Sequence, residues 1–354
     1  MSRFGGARMA TLSPYTPGEQ PRDMTYIKLN TNESPFPPSQ KAQALTAEAA
    51  GKLHLYSDPT SRVLVDKLAE VYGVSPDEVI VTNGSDEVLD FAFQAFCDDK
   101  TPALFPDITY GFYPVFADRN GVPYETVALR DDFTIDIEQY FEANKTIFIA
   151  NPNAPTGIAL SRDEIEEILI HNPDNVVVID EAYVDFGGES CVSLIGKYDN
   201  LLVTQTFSKS RSLAGGRLGF GIGNRALIAD LHTIRYSTNP YNVNSMTAAA
   251  GYGVLCDEDY TKTNCQTIME NRAWTAAQLV SRGFVLTDSK TNFLFAKHPR
   301  IEGGELYAKL KARGVLVRHF SSPRICEYNR ITVGSREQMQ AFLDAVDAIL
   351  EEVL

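Results

Sequence analysis

The chain has 354 residues, 44% hydrophobic and 22% charged, with a net charge of −14 at neutral pH. That length allows about two domains of roughly 150 residues each, with a sizeable core. The surplus of acid argues against nucleic-acid binders, whose affinity for phosphate backbones rests on Lys and Arg, and equally against ligands of anionic membranes.

The first 45 residues are Pro-rich and irregular, and their early arginines precede no apolar stretch of the kind a secretory signal needs. They read as an arm with part of a small domain. Positions 46–236 read as a large domain in which strands and helices alternate. Its elements begin with a strand in "VIVTN" (79–83) and a helix in "GSDEVLDFAFQAFC" (84–97), whose first turn is acidic. "ALF" (103–105), "YETVAL" (124–129) and "TIFIA" (146–150) are extended, and a capping box (Ser161 with Glu164) opens the next helix. "VVVID" (176–180) and "LLVTQ" (201–205) are further apolar runs. Strands apolar on both faces and separated by helices predict an α/β fold with a mostly parallel sheet covered by helices. Residues 237–354 change to an α+β pattern ending in a long helix, and predict a smaller domain. No apolar run approaches the ~18–20 residues of a membrane helix. Five cysteines without CxxC spacing fit a reducing compartment, so a cytoplasmic protein is expected. Five histidines without ligand spacing predict no metal site.

In open α/β sheets ligands sit at the carboxyl ends of the strands. There the sequence places Gly84-Ser85-Asp86 at a helix start, the turn "NPNAPTG", "DEAY" with Asp180 and Tyr183, and "TFSKS" with Thr206, Ser208 and Lys209. Arg217 follows in "GGRLGFGIGN", where Asn224 stands in place of a third glycine, so a dinucleotide fingerprint is incomplete. Helix-end amides, hydroxyls and an arginine suit a phosphate. One lysine and one carboxylate complete the inventory that pyridoxal phosphate requires. Each part alone is common in loops and caps; their conjunction and order are not.

With these motifs, and with "LSPYTPGE", "KLNTNESPFPPS", "LHLYSDPTS" and "NRITVGS", nearly the whole chain resembles the fold-type I pyridoxal-phosphate aminotransferases, closest to those acting on histidinol phosphate. The resemblance implies that Lys209 attaches the cofactor and then acts as base. Asp180 would hold the ring nitrogen, Tyr183 the phenolic oxygen, and Tyr110 would stack on the ring. Gly84, Ser85, Asp86, Thr206, Ser208 and Arg217 would hold the phosphate, and Tyr56 would reach it from the second subunit of a homodimer. The family's usual NPNNPTG reads NPNAPTG here, with Ala154 in place of the cofactor-binding asparagine. A one-residue shift would give that contact to Asn153.

Arg318 and Arg330 interrupt apolar strands at the place where relatives bind substrate phosphate, whereas Arg324 and Arg336 read as a solvated basic face. Tyr15 and Asn32 fall where the family's N-terminal segment covers the substrate. The resemblance thus implies amino transfer between glutamate and histidinol phosphate, in histidine biosynthesis. A decarboxylase of a phosphorylated amino acid such as threonine phosphate, an aromatic aminotransferase and a non-catalytic regulator are the rival readings.

Overall fold

The computed structural model describes residues 2–6, 9 and 12–353. The chain begins with β1 (Ile27–Lys28), α1 (Gln40–Ala50), α2 (Arg62–Tyr72), β2 (Val79–Thr82), α3 (Ser85–Phe96), β3 (Ala103–Pro106) and α4 (Tyr113–Asn120). Then come β4 (Tyr124–Val127), β5 (Thr146–Ala150), α5 (Arg162–Ile170), β6 (Val177–Asp180), β7 (Leu201–Thr206) and β8 (Gly219–Gly223). Three helices follow, α6 (Arg225–Thr238), α7 (Ser245–Leu255) and α8 (Glu258–Ser281). The remainder is β9 (Val285–Leu286), β10 (Phe293–Lys297), α9 (Gly303–Ala312), β11 (Val315–Leu316), β12 (Arg318–His319), β13 (Asn329–Thr332) and α10 (Arg336–Val353).

Seven strands form one sheet in the order β2-β8-β7-β6-β5-β3-β4. Every residue of β5, β6 and β7 is buried, as expected of strands covered on both faces. Alternation sorts them between two cores. Ile147, Ile149, Ile179 and Val203 pack with Leu68 of α2 and Ile165 of α5. Phe148, Val178 and Leu202 pack with Phe91 of α3, Phe116 of α4 and Leu231 of α6. Each fully covered aliphatic or aromatic side chain contributes about 1.5–3 kcal/mol. The expected capping box is present: Ser161 Oγ accepts from Glu164 N at 3.3 Å, and Glu164 Oε2 accepts from Ser161 N at 2.7 Å.

The glycine-rich run contributes an element that the sequence reading did not place. It is a strand, β8, antiparallel to both neighbours. A Cβ on Gly219 would lie 2.1 Å from the backbone nitrogen of Ser85, so glycine here lets α3 begin directly against the sheet.

The C-terminal part is a four-stranded antiparallel sheet, β12-β13-β10-β9. Its core joins Leu294 and Ile331 to Leu310 of α9 and to Phe342 and Val346 of α10. The N-terminal arm is tied to this part. β1 pairs with β11 in parallel, and Thr332 N donates to Leu29 O at 2.9 Å. Residues 30–32 are thereby carried to the junction of the two sheets. Helix α1, which contains position 45, packs on α7. Among the described residues no helix is long and apolar enough to cross a membrane.

Candidate active site

Register brings the polar residues together. Ala150 of β5 is opposite Asp180 of β6, and Asp180 is opposite Thr204 of β7, so three parallel strands end nearly level. At that edge Ser85, Asp86, Tyr110, Asp180, Tyr183, Thr206, Ser208, Lys209 and Arg217 line one cavity, with Ala154.

One end of the cavity is built for an anion. Gly84, with φ +84°, caps α3 and turns the chain so that the first helical amides, free of intrahelical partners, open toward Arg217. A Cβ on Gly84 would stand 2.7 Å from Arg217 Nη2. That nitrogen donates to Asp86 Oδ2 at 3.1 Å. Thr206 Oγ1 donates to Ser208 Oγ at 3.0 Å, which sets two hydroxyls side by side. Neither Gly215 nor Gly216, which precede Arg217, has positive φ; Arg217 itself is left-handed, at φ +53°. A non-glycine residue held there costs of order 1–3 kcal/mol, a strain the surrounding site must offset.

At the opposite end Asp180 is 5% exposed. Its Oδ2 accepts from Tyr113 Oη at 3.1 Å, while its buried Oδ1 has no partner. Burial pushes the carboxyl up to about 7, against the pull of the Tyr113 hydrogen bond and the Lys209 charge. A cationic N–H set against Oδ1 would restore the anion, and this bare oxygen is what the ring nitrogen of pyridoxal phosphate requires.

Lys209 Nζ donates to Thr31 O at 3.1 Å and lies 5.8 Å from the centre of the Tyr183 ring. Its neighbours hold it in place: Ser210 donates to Asp185, and Arg211 Nη1 donates to the same carboxylate at 3.0 Å. Asn32 Nδ2 donates to Tyr183 Oη at 2.9 Å, and Asn32 is fixed in turn by Thr332 and Asn292 of the C-terminal sheet. Tyr110 Oη donates to Asp86 Oδ1 at 2.8 Å.

A second cavity adjoins the first, sharing Tyr110, Ala154, Tyr183 and Lys209, and it reaches Tyr15, Asn32, Arg318 and Arg330. The two arginines are directly opposite on β12 and β13. Arg330 Nη2 donates to Asn30 O at 3.2 Å, but its buried Nε has no partner, and burial lowers its pKa from the usual guanidinium value. Arg318 reaches the carbonyls of Thr16 and Pro17 at 3.2 and 3.4 Å. An anion between the two guanidiniums would satisfy donors the protein leaves open.

Four residues singled out in the sequence lie outside both cavities. Asn153 does not take the place vacated by Ala154: its amide donates to Ile108 O and Thr156 Oγ1 and accepts from Thr109 Oγ1, and it lines neither cavity. Tyr56 is 84% exposed, stacked on Tyr241 at 4.6 Å, and away from both cavities of its own chain. Arg324 is exposed, as expected of a solvated face, yet it is not unpartnered. It donates to Asp107 Oδ2 at 2.8 Å and to the carbonyls of Leu129 and Arg130, which fastens the 320–328 segment to the large sheet beside the second cavity. Arg336 caps the Trp274 ring at 4.1 Å.

Two buried groups escaped the sequence reading. Glu181, next to Asp180, accepts from Cys191 N, Ser190 Oγ and Gln205 Nε2, and Tyr113 holds Asp180. "DEAY" offered a signal for Glu181; Tyr113, distant in sequence from its partner, had none.

The family model for aminotransferase class I and II matches residues 24–346. The chain belongs to aminotransferase class I and II. Histidinol-phosphate aminotransferases from Brachyspira hyodysenteriae and Pseudomonas putida are 46% and 47% identical to this aminotransferase. Those alignments cover 99% and 98% of the chain and the full length of both relatives. The crystal structure of a histidinol-phosphate aminotransferase from Sinorhizobium meliloti in complex with pyridoxal-5'-phosphate superposes with a TM-score of 0.85, over 92% of this chain and 91% of that one, at 22% identity. That likeness extends the fold assignment to the seven-stranded sheet whose strand ends carry Asp180 and Lys209.

Proposed function

We propose that this aminotransferase uses pyridoxal phosphate to move an amino group between glutamate and the phosphorylated ketone imidazole-acetol phosphate, giving 2-oxoglutarate and histidinol phosphate, with either direction open to it. The observation that carries the reading is the two-cavity arrangement: Lys209 stands at the junction, with Asp180 and its bare oxygen in one cavity and the paired Arg318 and Arg330 in the other. Near-full-length relatives of 46–47% identity that bear this activity support it.

Bound in the first cavity, pyridoxal phosphate supplies an aldehyde that accepts an amino group and a ring that takes up the electron pair released at the substrate's α carbon. The residues do the rest. The α3 amides at Ser85 and Asp86, the hydroxyls of Thr206 and Ser208, and Arg217 hold the phosphate. Asp180 Oδ1 keeps a proton on the ring nitrogen, and Tyr183, oriented by Asn32, donates to the phenolic oxygen without help from residue 154. Tyr110 covers the ring. Lys209 Nζ would anchor the cofactor and serve as the base that takes the α proton of the substrate. Arg318 and Arg330 bind the phosphate of the larger substrate and the side-chain carboxylate of glutamate.

The functional unit is a homodimer. Tyr56, Tyr241, Tyr236, Leu53, Leu55 and Val63 are between 43% and 84% exposed, an apolar set that a second copy would cover. Tyr56 would then reach the phosphate of the partner's site. The test is a panel of amino donors on the cofactor-loaded protein, scored by the visible absorbance of the lysine-bound cofactor. Glutamate and histidinol phosphate should each bleach it; Lys209→Ala should lack both the band and turnover. Failure of both donors refutes the assignment, and loss of carbon dioxide from a phosphorylated amino acid would replace it with a decarboxylase.

A further inference from the structure

Asp180 has two oxygens, and the preceding reading uses one. The other is held by Tyr113, a residue that lines neither cavity and is 0% exposed. We propose that Tyr113 is a positioning residue: its hydroxyl fixes the Asp180 carboxylate so that Oδ1 faces the cofactor, and it sets the share of the proton that the ring nitrogen keeps. This inference rests on Asp180 being the partner of that nitrogen.

The geometry supports a fixed donor. The Tyr113 ring is boxed by Phe105 of β3 at 5.7 Å, Phe148 of β5 at 6.0 Å and the edge of Tyr110, at 5.7 Å and 87°. Packing on three sides, with no exposure to solvent, restricts the phenol, so the hydrogen bond costs little further side-chain entropy. Tyr113 touches both the residue placed over the ring and the residue placed at its nitrogen, and so keeps the two in register. Tyr140 shows a different outcome for a buried phenol in this fold. It is likewise 0% exposed, yet its hydroxyl has no partner.

The chemistry follows from where the hydrogen bond ends. Asp180 is buried near Asp86, which raises its proton affinity, and near Lys209 and the Ala182 amide, which lower it. A phenol donating to Oδ2 stabilises the anion and makes the carboxylate a weaker base. The proton shared between Oδ1 and the ring nitrogen then stays on the nitrogen, where it keeps the ring able to accept electrons. Without the hydroxyl the carboxylate is freer to rotate and more basic, and it draws that proton to itself.

The experiment loads wild-type protein, Tyr113→Phe and a control, Tyr140→Phe, with pyridoxal phosphate carrying ¹⁵N in the ring. It measures cofactor Kd, the ring-nitrogen resonance, kcat and KM. Tyr113→Phe should weaken cofactor binding roughly tenfold, move the resonance toward the unprotonated ring, and lower kcat by roughly ten- to a hundredfold with KM for glutamate little changed, the effect of one hydrogen bond to a charged group. Tyr140→Phe should match wild type in all four. A 3-fluorotyrosine at position 113, a stronger donor of nearly the same shape, should move the resonance the opposite way, and it serves if Tyr113→Phe folds poorly. Wild-type resonance and Kd in folded Tyr113→Phe, or no response to fluorination, overturn the proposal. If instead wild type binds no cofactor, or Asp180→Asn leaves its resonance unchanged, the fault lies in the assignment of Asp180.

Discussion

A carboxyl buried for the sake of a ligand should destabilise the protein when the ligand is away, and Asp180→Asn measures that cost. Burial raises Asp180 from the ordinary 3.8 to about 7. A carboxyl whose folded pKa is raised binds more protons folded than unfolded between those values, so stability falls as pH rises from about 4 to about 7 and the penalty is complete above. At about 1.4 kcal/mol per pH unit the penalty is at most about 4 kcal/mol. Asparagine has nearly the same shape and does not titrate. In cofactor-free protein, Asp180→Asn should therefore match wild type near pH 4 and exceed it at pH 8. For a chain of 354 residues, at about 2 cal/mol/K per residue, the gain corresponds to at most roughly 6 °C in Tm. Thermal unfolding of both proteins, stripped by dialysis, at pH 4.5 and pH 8 is the assay. Glu181 is also pushed up to about 7 by burial, but it is common to both proteins and cancels. Equal differences at the two pH values, or a variant less stable than wild type at pH 8, would refute the reasoning. With cofactor added, the order should reverse, because only the carboxylate holds the ring nitrogen.

Gly219→Ala should abolish cofactor binding, read by the visible band, because its Cβ needs the space of Ser85 N and must push the start of α3 off the sheet. Arg330→Met should raise KM for histidinol phosphate about a hundredfold, the effect of roughly 3 kcal/mol lost with a charge-assisted bidentate contact, while leaving the cofactor band intact. Arg324→Ala frees the segment beside the substrate cavity from Asp107, and steady-state kinetics should show KM for histidinol phosphate rising several-fold with kcat within about twofold. Light scattering should give a mass twice the 39.1 kDa chain, and Leu55→Asp should return it to the monomer.

The order of elements was written in local patterns. The runs 147–150, 177–179 and 201–203 in β5, β6 and β7 are apolar at every position because both faces are covered, and such runs announce themselves without knowledge of what covers them. The placing of Asp180 and Lys209 was legible for a related reason: one ends such a run and the other follows closely on the next, and strand ends of a parallel sheet share one edge whatever the loops between them do, whereas Arg217 joins them from the turn before β8. What the sequence left undecided depended on partners far along the chain. "GGRLGFGIGN" shows no strand pattern because Gly219 and Gly221 serve contacts with α3, which only packing reveals. Asn153 and Ala154 are adjacent, yet hydrogen bonds to Ile108 and Thr109 decide that one is tied inward while the other faces the cavity. The sequence separates Arg318, which interrupts an apolar strand, from Arg324, but it shows the partner of neither. The fold gives Arg324 an aspartate and two carbonyls, and sets Arg318 opposite Arg330. Tyr113 and Asp180 are 67 positions apart. Their pairing exists because the fold sets the first residue of α4 beside the last residue of β6, and tertiary structure alone makes the carboxylate's second oxygen unavailable and its first one free.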